Sequence, residues 1–200
     1  MIPANFRKMI GLTILTVQLL APSLPIASPQ IWVAVRMEVV FDSERRAIAI
    51  NHVWEFDEFY SATVVGWVTR DGARSGLLSK WAAPEESLKS LGKRKFFTSA
   101  RLGARRLAFR VPEGAQIEKD DKDIVKFRVT LPFEAPVTIS ESLVLDIYDP
   151  DHSVAFGLEI IDPVTMAGNH AGCSVKIIEP ETFIAAYSKQ PPTSAMITCR

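Results

Sequence analysis

Residues 31 to 41 read Ile31-Trp32-Val33-Ala34-Val35-Arg36-Met37-Glu38-Val39-Val40-Phe41, and the odd-numbered positions are all apolar. The even-numbered positions are, taken together, more polar. Because successive side chains of a β-strand point to opposite faces, this period of two places the apolar set on one face. Eleven residues with this period predict a long strand that buries one side.

A second alternation follows the polar stretch at residues 42–46. It places five side chains on one face of a strand, namely Ile48, Ile50, His52, Trp54 and Phe56. Two alternating segments joined by a short polar turn are typical of an antiparallel hairpin. We therefore expect this hairpin to begin the folded domain.

Short strands separated by turns continue along the rest of the chain. Residues 57–68 fit either a helix or a strand, and the charged run 118–123 indicates a turn. Further strands are predicted at 95–101, 105–111, 124–131, 143–148, 154–161 and 174–178, and short helices at 84–92 and 181–188. This pattern predicts a mainly β protein, a single-domain β-sandwich-like fold or open barrel with one or two short helices.

Charge composition excludes one class of partner. The 200 residues include 23 basic and 23 acidic side chains, so the formal net charge is zero. Nucleic-acid binding requires a strongly basic surface, and we therefore expect no nucleic-acid partner. The basic residues concentrate at only one place, which we interpret as a solvated face: Lys93, Arg94, Lys95, Arg101, Arg105 and Arg106.

The first 27 residues predict a secretory signal peptide. Two basic residues, Arg7 and Lys8, precede an apolar stretch at residues 9–20. That stretch is too short to span a bilayer comfortably, and its flanks are those of a signal sequence.

Cleavage is expected after Ala27. A site near Ser23 and an uncleaved N-terminal anchor are the alternatives. Removal of residues 1–27 takes away two basic and no acidic residues, which leaves a net charge of −2 on residues 28–200. These residues form one periplasmic domain in our interpretation, with no transmembrane segment.

Cys173 and Cys199 are the only two cysteines of the chain. An even count in an exported protein favours one disulfide, because the periplasm is oxidising. Two buried free thiols are the alternative.

Catalytic templates are missing from the sequence. It contains no Gly-rich phosphate loop, no Gly-x-Ser-x-Gly, no His-Glu-x-x-His and no Cys-x-x-Cys motif. We therefore expect a protein that is not an enzyme.

Metal binding needs only a few converging side chains, and two polar groups of the sequence offer them. His52 lies five residues before Asp57, and Asp149 lies three residues before His152. Imidazole and carboxylate together suit zinc, nickel or cobalt, so these four residues are the candidate metal ligands. The alternative interpretation places His52 in the core and gives Asp149 the task of capping a turn.

Four segments resemble motifs of a known family. They are W-E-F-D-E-F-Y-S at 54–61, D-I-Y-D-P at 146–150 with V-A-F at 154–156, D-P-V-T-M-A-G at 162–168 with G-C at 172–173, and I-T-C at 197–199. On these motifs the chain resembles the domain-of-unknown-function 1007 family over nearly all of residues 31–199. The resemblance implies an exported, periplasmic component of an uncharacterised ABC-type transport system, and a Cys173–Cys199 disulfide.

Two departures from the family pattern concern metal ligands. Family members begin the mature chain with His-Pro-His-Val-Trp, where this chain has Ser28-Pro29-Gln30-Ile31-Trp32. The family's Asp-x-Asn-Gly-Asp-Gly loop corresponds to Thr69-Arg70-Asp71-Gly72-Ala73-Arg74, which retains one carboxylate. Both departures remove ligands for a divalent cation, so we expect transition metals to bind no more tightly than about micromolar.

Together these observations predict a non-enzymatic periplasmic accessory or binding component of a transport system. Nickel, cobalt or zinc is the candidate ligand, and a membrane permease or another envelope protein is the candidate partner. The alternative is a structural or interaction module of the cell envelope that has no ligand site.

The signal-peptide interpretation predicts the N-terminus of the exported protein. N-terminal sequencing of the protein recovered from the periplasm is expected to begin at or near Ser28, because the signal peptidase removes the charged and apolar segments together. A membrane-bound chain that still begins at Met1 would establish the uncleaved anchor instead.

Overall fold

The computed structural model describes residues 31–71, 80–83, 85–178 and 194–200. The predicted signal segment, the predicted helix at 181–188 and part of the stretch at 69–74 lie outside these residues. Within the described residues the protein is mainly β, with two sheets and two α-helices, as the sequence predicts.

The described elements follow one another along the chain in this order: β1 (Ile31–Phe41), β2 (Arg46–Phe56), α1 (Glu58–Asp71), β3 (Lys80–Ala82), α2 (Glu85–Lys93), a 3₁₀ turn (Lys95–Phe97), β4 (Thr98–Leu102), β5 (Arg105–Leu107), β6 (Ala115–Lys119), β7 (Val125–Thr138), β8 (Leu143–Ile147), β9 (Val154–Leu158), β10 (Val164–Ala167), β11 (Cys173–Ile178) and β12 (Ser194–Cys199). The larger sheet has the strand order β10-β1-β2-β7-β6-β3, and β9 pairs with β1 beside β10. The smaller sheet has the order β11-β12-β8-β4-β5.

The predicted hairpin is confirmed as β1 and β2, which pair antiparallel with Met37 opposite His52. The carboxylate of Asp42 holds the turn, because it accepts the backbone N–H groups of Glu44 and Arg46 at 2.9 Å each. With the turn fixed in this way, the apolar face of each strand points to the same side of the sheet.

The core lies between the two sheets and is built from their facing apolar sides. Trp54 contributes most to its aromatic part, with ring centroids 5.2 Å from Phe127, 5.4 Å from Phe156 and 6.2 Å from Phe97. The fully buried apolar side chains come from both sheets and include Val35, Met37, Val39, Ile50, Leu131, Leu143, Leu145 and Ile197. The fold is therefore a β-sandwich with two separate sheets rather than an open barrel.

Several predicted elements differ in detail. Residues 57–68, which fitted a helix or a strand, fall within α1 apart from Asp57, which precedes it. The strand predicted at 95–101 begins only at Thr98, because residues 95–97 form a 3₁₀ turn with positive φ angles. In the charged run 118–123, Glu118 and Lys119 belong to β6, and the turn starts at Asp120.

Four strands were not predicted, namely β3, β6, β10 and β12. Each has only three to six residues. Over such a short length a period of two is hardly distinguishable from chance, so pairing with a neighbouring strand decides the conformation.

The sandwich has two ends, which we name after the first and last residues of β1. At the Ile31 end, β1 begins, β2 finishes and β8 leads through a turn into β9. At the Phe41 end lie the β1–β2 turn and the start of β11. No helix in the described parts of the chain is long and apolar enough to cross a membrane.

The predicted disulfide is confirmed and lies at the Phe41 end. Cys173 and Cys199 stand directly opposite each other on β11 and β12, at a sequence separation of 26. The Arg45 guanidinium, on the β1–β2 turn, donates to the carbonyl oxygens of Ala171 and of Arg200, the latter at 2.9 Å. The C-terminus is thus tied to the smaller sheet by a covalent bond and to the larger sheet by hydrogen bonds.

Removal of the disulfide is expected to destabilise the protein moderately. Cys199→Ser should lower the free energy of unfolding by up to about 3 kcal/mol, because the unfolded chain regains the entropy of the open loop. Urea denaturation without reductant measures the loss. Reductant should lower the stability of the wild type by the same amount and leave the variant unchanged. Two thiols labelled in the denatured, non-reduced protein would contradict the bond.

Candidate functional site

His52 is a buried residue of the core. It lies on β2 between Met37 and Val129 of the neighbouring strands, and its exposed fraction is 1%. Its Nδ1 accepts a hydrogen bond from Trp54 Nε1 at 3.4 Å, and its Nε2 lies 3.5 Å from Thr98 Oγ1. Burial lowers the pKa of His52 to about 3, so the ring is neutral at physiological pH.

The same hydrogen bonds determine the tautomer of the ring. Thr98 Oγ1 donates its own proton to the carbonyl oxygen of Phe96 at 2.8 Å. It can therefore only accept from His52, which places the proton on Nε2 and leaves Nδ1 as the acceptor. Both nitrogens of His52 are engaged inside the core.

Asp57 caps helix α1 and ties it to β1. Its Oδ1 accepts the N–H of Tyr60 in the first turn, and its Oδ2 accepts the N–H of Trp32, each at 2.9 Å. Burial raises the pKa of Asp57, but the hydrogen bonds from Trp32 and Tyr60 outweigh burial and hold the pKa below its ordinary value. An aspartate in this position stabilises a helix N-terminus.

Asp149 organises the turn that carries the chain from β8 in one sheet to β9 in the other. Its side chain is 1% exposed. Oδ1 accepts the N–H of Asp151 at 3.0 Å, and Oδ2 accepts those of Ser153 and Val154 at 2.9 and 3.0 Å. Arg94 lies 3.3 Å from Oδ1 and neutralises the buried charge.

His152 lies in the turn that Asp149 organises. Its φ angle is 56°, and its backbone N–H donates to the Asp149 carbonyl oxygen at 3.1 Å. The strand topology brings Asp57, Asp149 and His152 to the Ile31 end, whereas His52 lies opposite Met37, farther along the sheet. Even so, the described residues contain no group of three or more His, Cys, Asp or Glu side chains that could hold a metal ion. The structure engages His52, Asp57 and Asp149 in hydrogen bonds that hold the fold together.

Other residues of the four motif segments also support the fold. Ser61 is buried, and its Oγ accepts the N–H of Val125, which joins α1 to β7 at 3.0 Å. Gly168 has a φ of +79°, and a Cβ there would lie 2.0 Å from the carbonyl oxygen of Phe41. Gly172 has a φ of +76°, and a Cβ there would lie 2.5 Å from the carbonyl oxygen of Arg200. Both positions therefore require glycine.

A wide concavity lies on the outer face of the larger sheet. This polar groove has a volume of about 920 Å³. Its floor consists of side chains on the solvent side of the alternation, which stand in register across five strands: Thr165 of β10, Arg36 and Glu38 of β1, Asn51 and Val53 of β2, Arg128 and Thr130 of β7, and Gln116 of β6.

Hydrogen bonds orient the side chains on the groove floor. Thr130 Oγ1 donates to Asn51 Oδ1, and Asn51 Nδ2 donates to Glu38 Oε2, each at 2.8 Å. Arg128 Nε donates to Glu118 at 2.8 Å. Because these bonds fix the planar amide and guanidinium groups, the groove presents a preformed arrangement of donors and acceptors.

An apolar projection borders the polar groove. The loop between β9 and β10 exposes 97% of Ile160 and 73% of Ile161, and Ile161 lines the groove. Backbone hydrogen bonds to β1 hold the loop on both sides, from Glu159 N to Val35 O at 3.0 Å and from Met37 N to Pro163 O at 2.9 Å. Two neighbouring isoleucines exposed on an anchored loop are typical of a surface that contacts a partner.

Sequence reasoning did not single out the groove. The signal was present in the polar half of each alternation, for example Arg36 and Glu38 on β1 and Arg128 and Thr130 on β7. Alternation predicts only that these side chains face solvent. The strand order then decides that they lie side by side.

The fold and the groove define a class: a disulfide-bonded β-sandwich with an open, polar sheet face. The family comparison agrees with the resemblance of the four motifs. The sequence model of a family described as a protein of unknown function, DUF1007, matches residues 13–193, and the chain therefore belongs to this family. No curated protein matches the chain.

The burial of His52 predicts a specific pH dependence of stability. The unfolded ring takes up a proton below about pH 6.5, whereas the folded ring stays neutral down to about pH 3. Between these two pH values protons therefore favour the unfolded state. The free energy of unfolding falls as the pH falls, and the His52 ring contributes at most about 1.4 kcal/mol per pH unit to this loss.

Urea denaturation of the wild type and of His52→Gln between about pH 7 and pH 5 tests this dependence, because aspartates with lowered pKa contribute only at lower pH. The wild type should lose more stability over this range than the variant does. Equal losses in the two proteins would show that His52 is not shielded from protons.

Proposed function

We propose that the protein is an exported, non-enzymatic binding component of the cell envelope that works beside a transport system. It binds a protein partner, a membrane permease or another envelope protein, on the polar groove and the adjoining Ile160–Ile161 loop. The observation that carries this proposal is the exposure of these two isoleucines beside a preformed polar groove, since leaving them in water forgoes the free energy of burial.

Three arguments support the individual parts of the proposal. The disulfide at the Phe41 end agrees with an oxidising compartment, and therefore with export. The resemblance of the four motifs implies the transport context. The use of Asp57, Asp149 and His52 in structural hydrogen bonds supports a role in binding rather than in catalysis.

In this proposal the protein itself holds no metal ion, and a metal is involved only through the partner protein. Both carboxylate oxygens of Asp57 and of Asp149 already accept backbone N–H groups, and His52 is shielded from solvent. A metal ion that used these side chains would have to break hydrogen bonds that hold the fold together. The alternative of an envelope interaction module without a ligand of its own uses the same surface and differs in the identity of its partner.

Site-specific photo-crosslinking in intact cells tests the proposal. A photoreactive residue is introduced at Ile161 or at Gln116, which lie on the loop and on the floor of the groove. The control position is Lys176, which is exposed on β11 of the smaller sheet. We expect one adduct with a membrane permease from both groove positions, unaffected by chelator, and no such adduct from Lys176.

A second variant makes the result specific. Replacement of Ile160 and Ile161 by Ser should abolish the adduct formed from Gln116, because the apolar contact beside the groove is lost. If both groove positions instead form an adduct with one envelope protein that is not a permease, the result would establish the alternative, an envelope interaction module. Equal adducts from all three positions would refute a binding surface on this face. An adduct that disappears when chelator is added would show that a metal ion takes part in the contact.

A further inference from the structure

The smaller sheet places two arginines directly opposite each other on its outer face. On β4, Ala100 and Leu102 point into the core, so Arg101 between them points to solvent. The register of β4 and β5 puts Arg106 opposite Arg101. Like charges in directly opposed positions of neighbouring strands repel each other and destabilise the pair.

The described residues do little to neutralise this repulsion. Apart from the backbone pairing of β5 with β4, Arg106 forms no hydrogen bond or ion pair with the described residues. Arg101 Nε lies 3.9 Å from Asp146 Oδ2. That carboxylate already accepts the hydroxyl groups of Ser194 at 2.6 Å and Ser99 at 3.2 Å.

A small cleft adjoins the two arginines of β5. Its volume is about 250 Å³, and it lies between β5 and residues 133–137 of β7. Arg105 and Arg106 both line it, but the register turns Arg105, opposite Leu102, to the inner side of the sheet and Arg106 to the outer side. The opposite wall carries the carboxylate of Glu134. Two backbone hydrogen bonds keep this cleft in shape, from Glu134 N to Ala108 O at 2.9 Å and from Arg110 N to Pro132 O at 2.8 Å.

Protection of the sheet edge explains only part of this arrangement. A charged side chain on an edge strand prevents pairing with another chain, and Arg106 on β5 would serve that purpose alone. Arg101 is on the interior strand β4, where it adds repulsion without adding protection. A bound anion between the two guanidinium groups would turn the repulsion into two attractive contacts.

We propose that Arg101 and Arg106 form a binding site for a phosphate group on the outer face of the smaller sheet. Phosphate carries up to two negative charges and accepts the paired N–H groups of a guanidinium in a bidentate manner, so one group can bridge two arginines. Free phosphate and the headgroup of an anionic phospholipid share this chemistry. The site lies on the opposite sheet from the groove and is independent of the proposed partner.

Thermal unfolding in phosphate and in chloride, at the same pH and ionic strength, tests the site. Wild-type Tm should be about 3 °C higher in phosphate at ten times its Kd, because the ligand binds only the folded state. In chloride, Arg106→Gln should unfold at a higher temperature than the wild type, since the repulsion is removed. The increase in Tm that phosphate produces should be lost in this variant. Lys176→Gln, which removes an exposed cation on β11 of the same sheet, serves as the control and should keep the full shift.

Calorimetric titration with inorganic phosphate gives a second measure. Arg106→Gln should bind about tenfold more weakly than the wild type, and Arg106→Lys should also bind more weakly, because lysine keeps the charge but not the bidentate geometry.

Co-sedimentation with phosphatidylglycerol vesicles, compared with phosphatidylcholine vesicles, separates the two sources of the phosphate group. Binding to phosphate alone indicates the free ion, and binding to both indicates a headgroup. Equal wild-type Tm in phosphate and chloride, or an undiminished shift in Arg106→Gln, would overturn the proposal.

Discussion

The pairing of β1 with β2 is the constraint on which the rest of the molecule depends. The two strands lie in the middle of the larger sheet, where β9 and β10 attach to the free edge of β1 and β7 attaches to β2. A shift of β1 by one residue in this register would turn Val35, Met37 and Val39 toward solvent. The same shift would turn Arg36 and Glu38 into the core. One register therefore decides both what is buried and what forms the polar groove.

Aspartates at the turns maintain this arrangement. Asp42, Asp57, Asp120 and Asp149 each accept at least two backbone N–H groups near the end of a strand or the start of a helix. These bonds satisfy donors that strand pairing leaves free, and they set the direction in which the chain re-enters the fold. Carboxylates that suit a metal equally suit this structural task. In this protein, both carboxylate oxygens of Asp57 and of Asp149 accept backbone N–H groups.

The two outer faces of the sandwich differ in chemical character. On the larger sheet, the polar groups of the groove are connected by hydrogen bonds, for example from Thr130 to Asn51 and from Asn51 to Glu38. On the smaller sheet, Arg106 lacks such a connection to the described residues and faces another arginine. The first face is preorganised for a partner with matching donors and acceptors, and the second is electrostatically incomplete without an anion. A single domain thus offers two surfaces that can act separately.

The sequence by itself predicted the class of the fold, the first hairpin, the disulfide and the family. Alternation predicts a buried strand face, an even cysteine count favours one disulfide over two free thiols, and the four motifs indicate the family. The sequence did not determine the short strands β3, β6, β10 and β12, nor the outcome for His52, whose ring could have been a ligand or a core residue. Only the tertiary structure placed that ring between Trp54 and Thr98 and set Arg101 opposite Arg106. The physical reason is that pairing between strands joins residues distant in sequence, and periodicity shows which face a side chain takes but not which neighbour it meets.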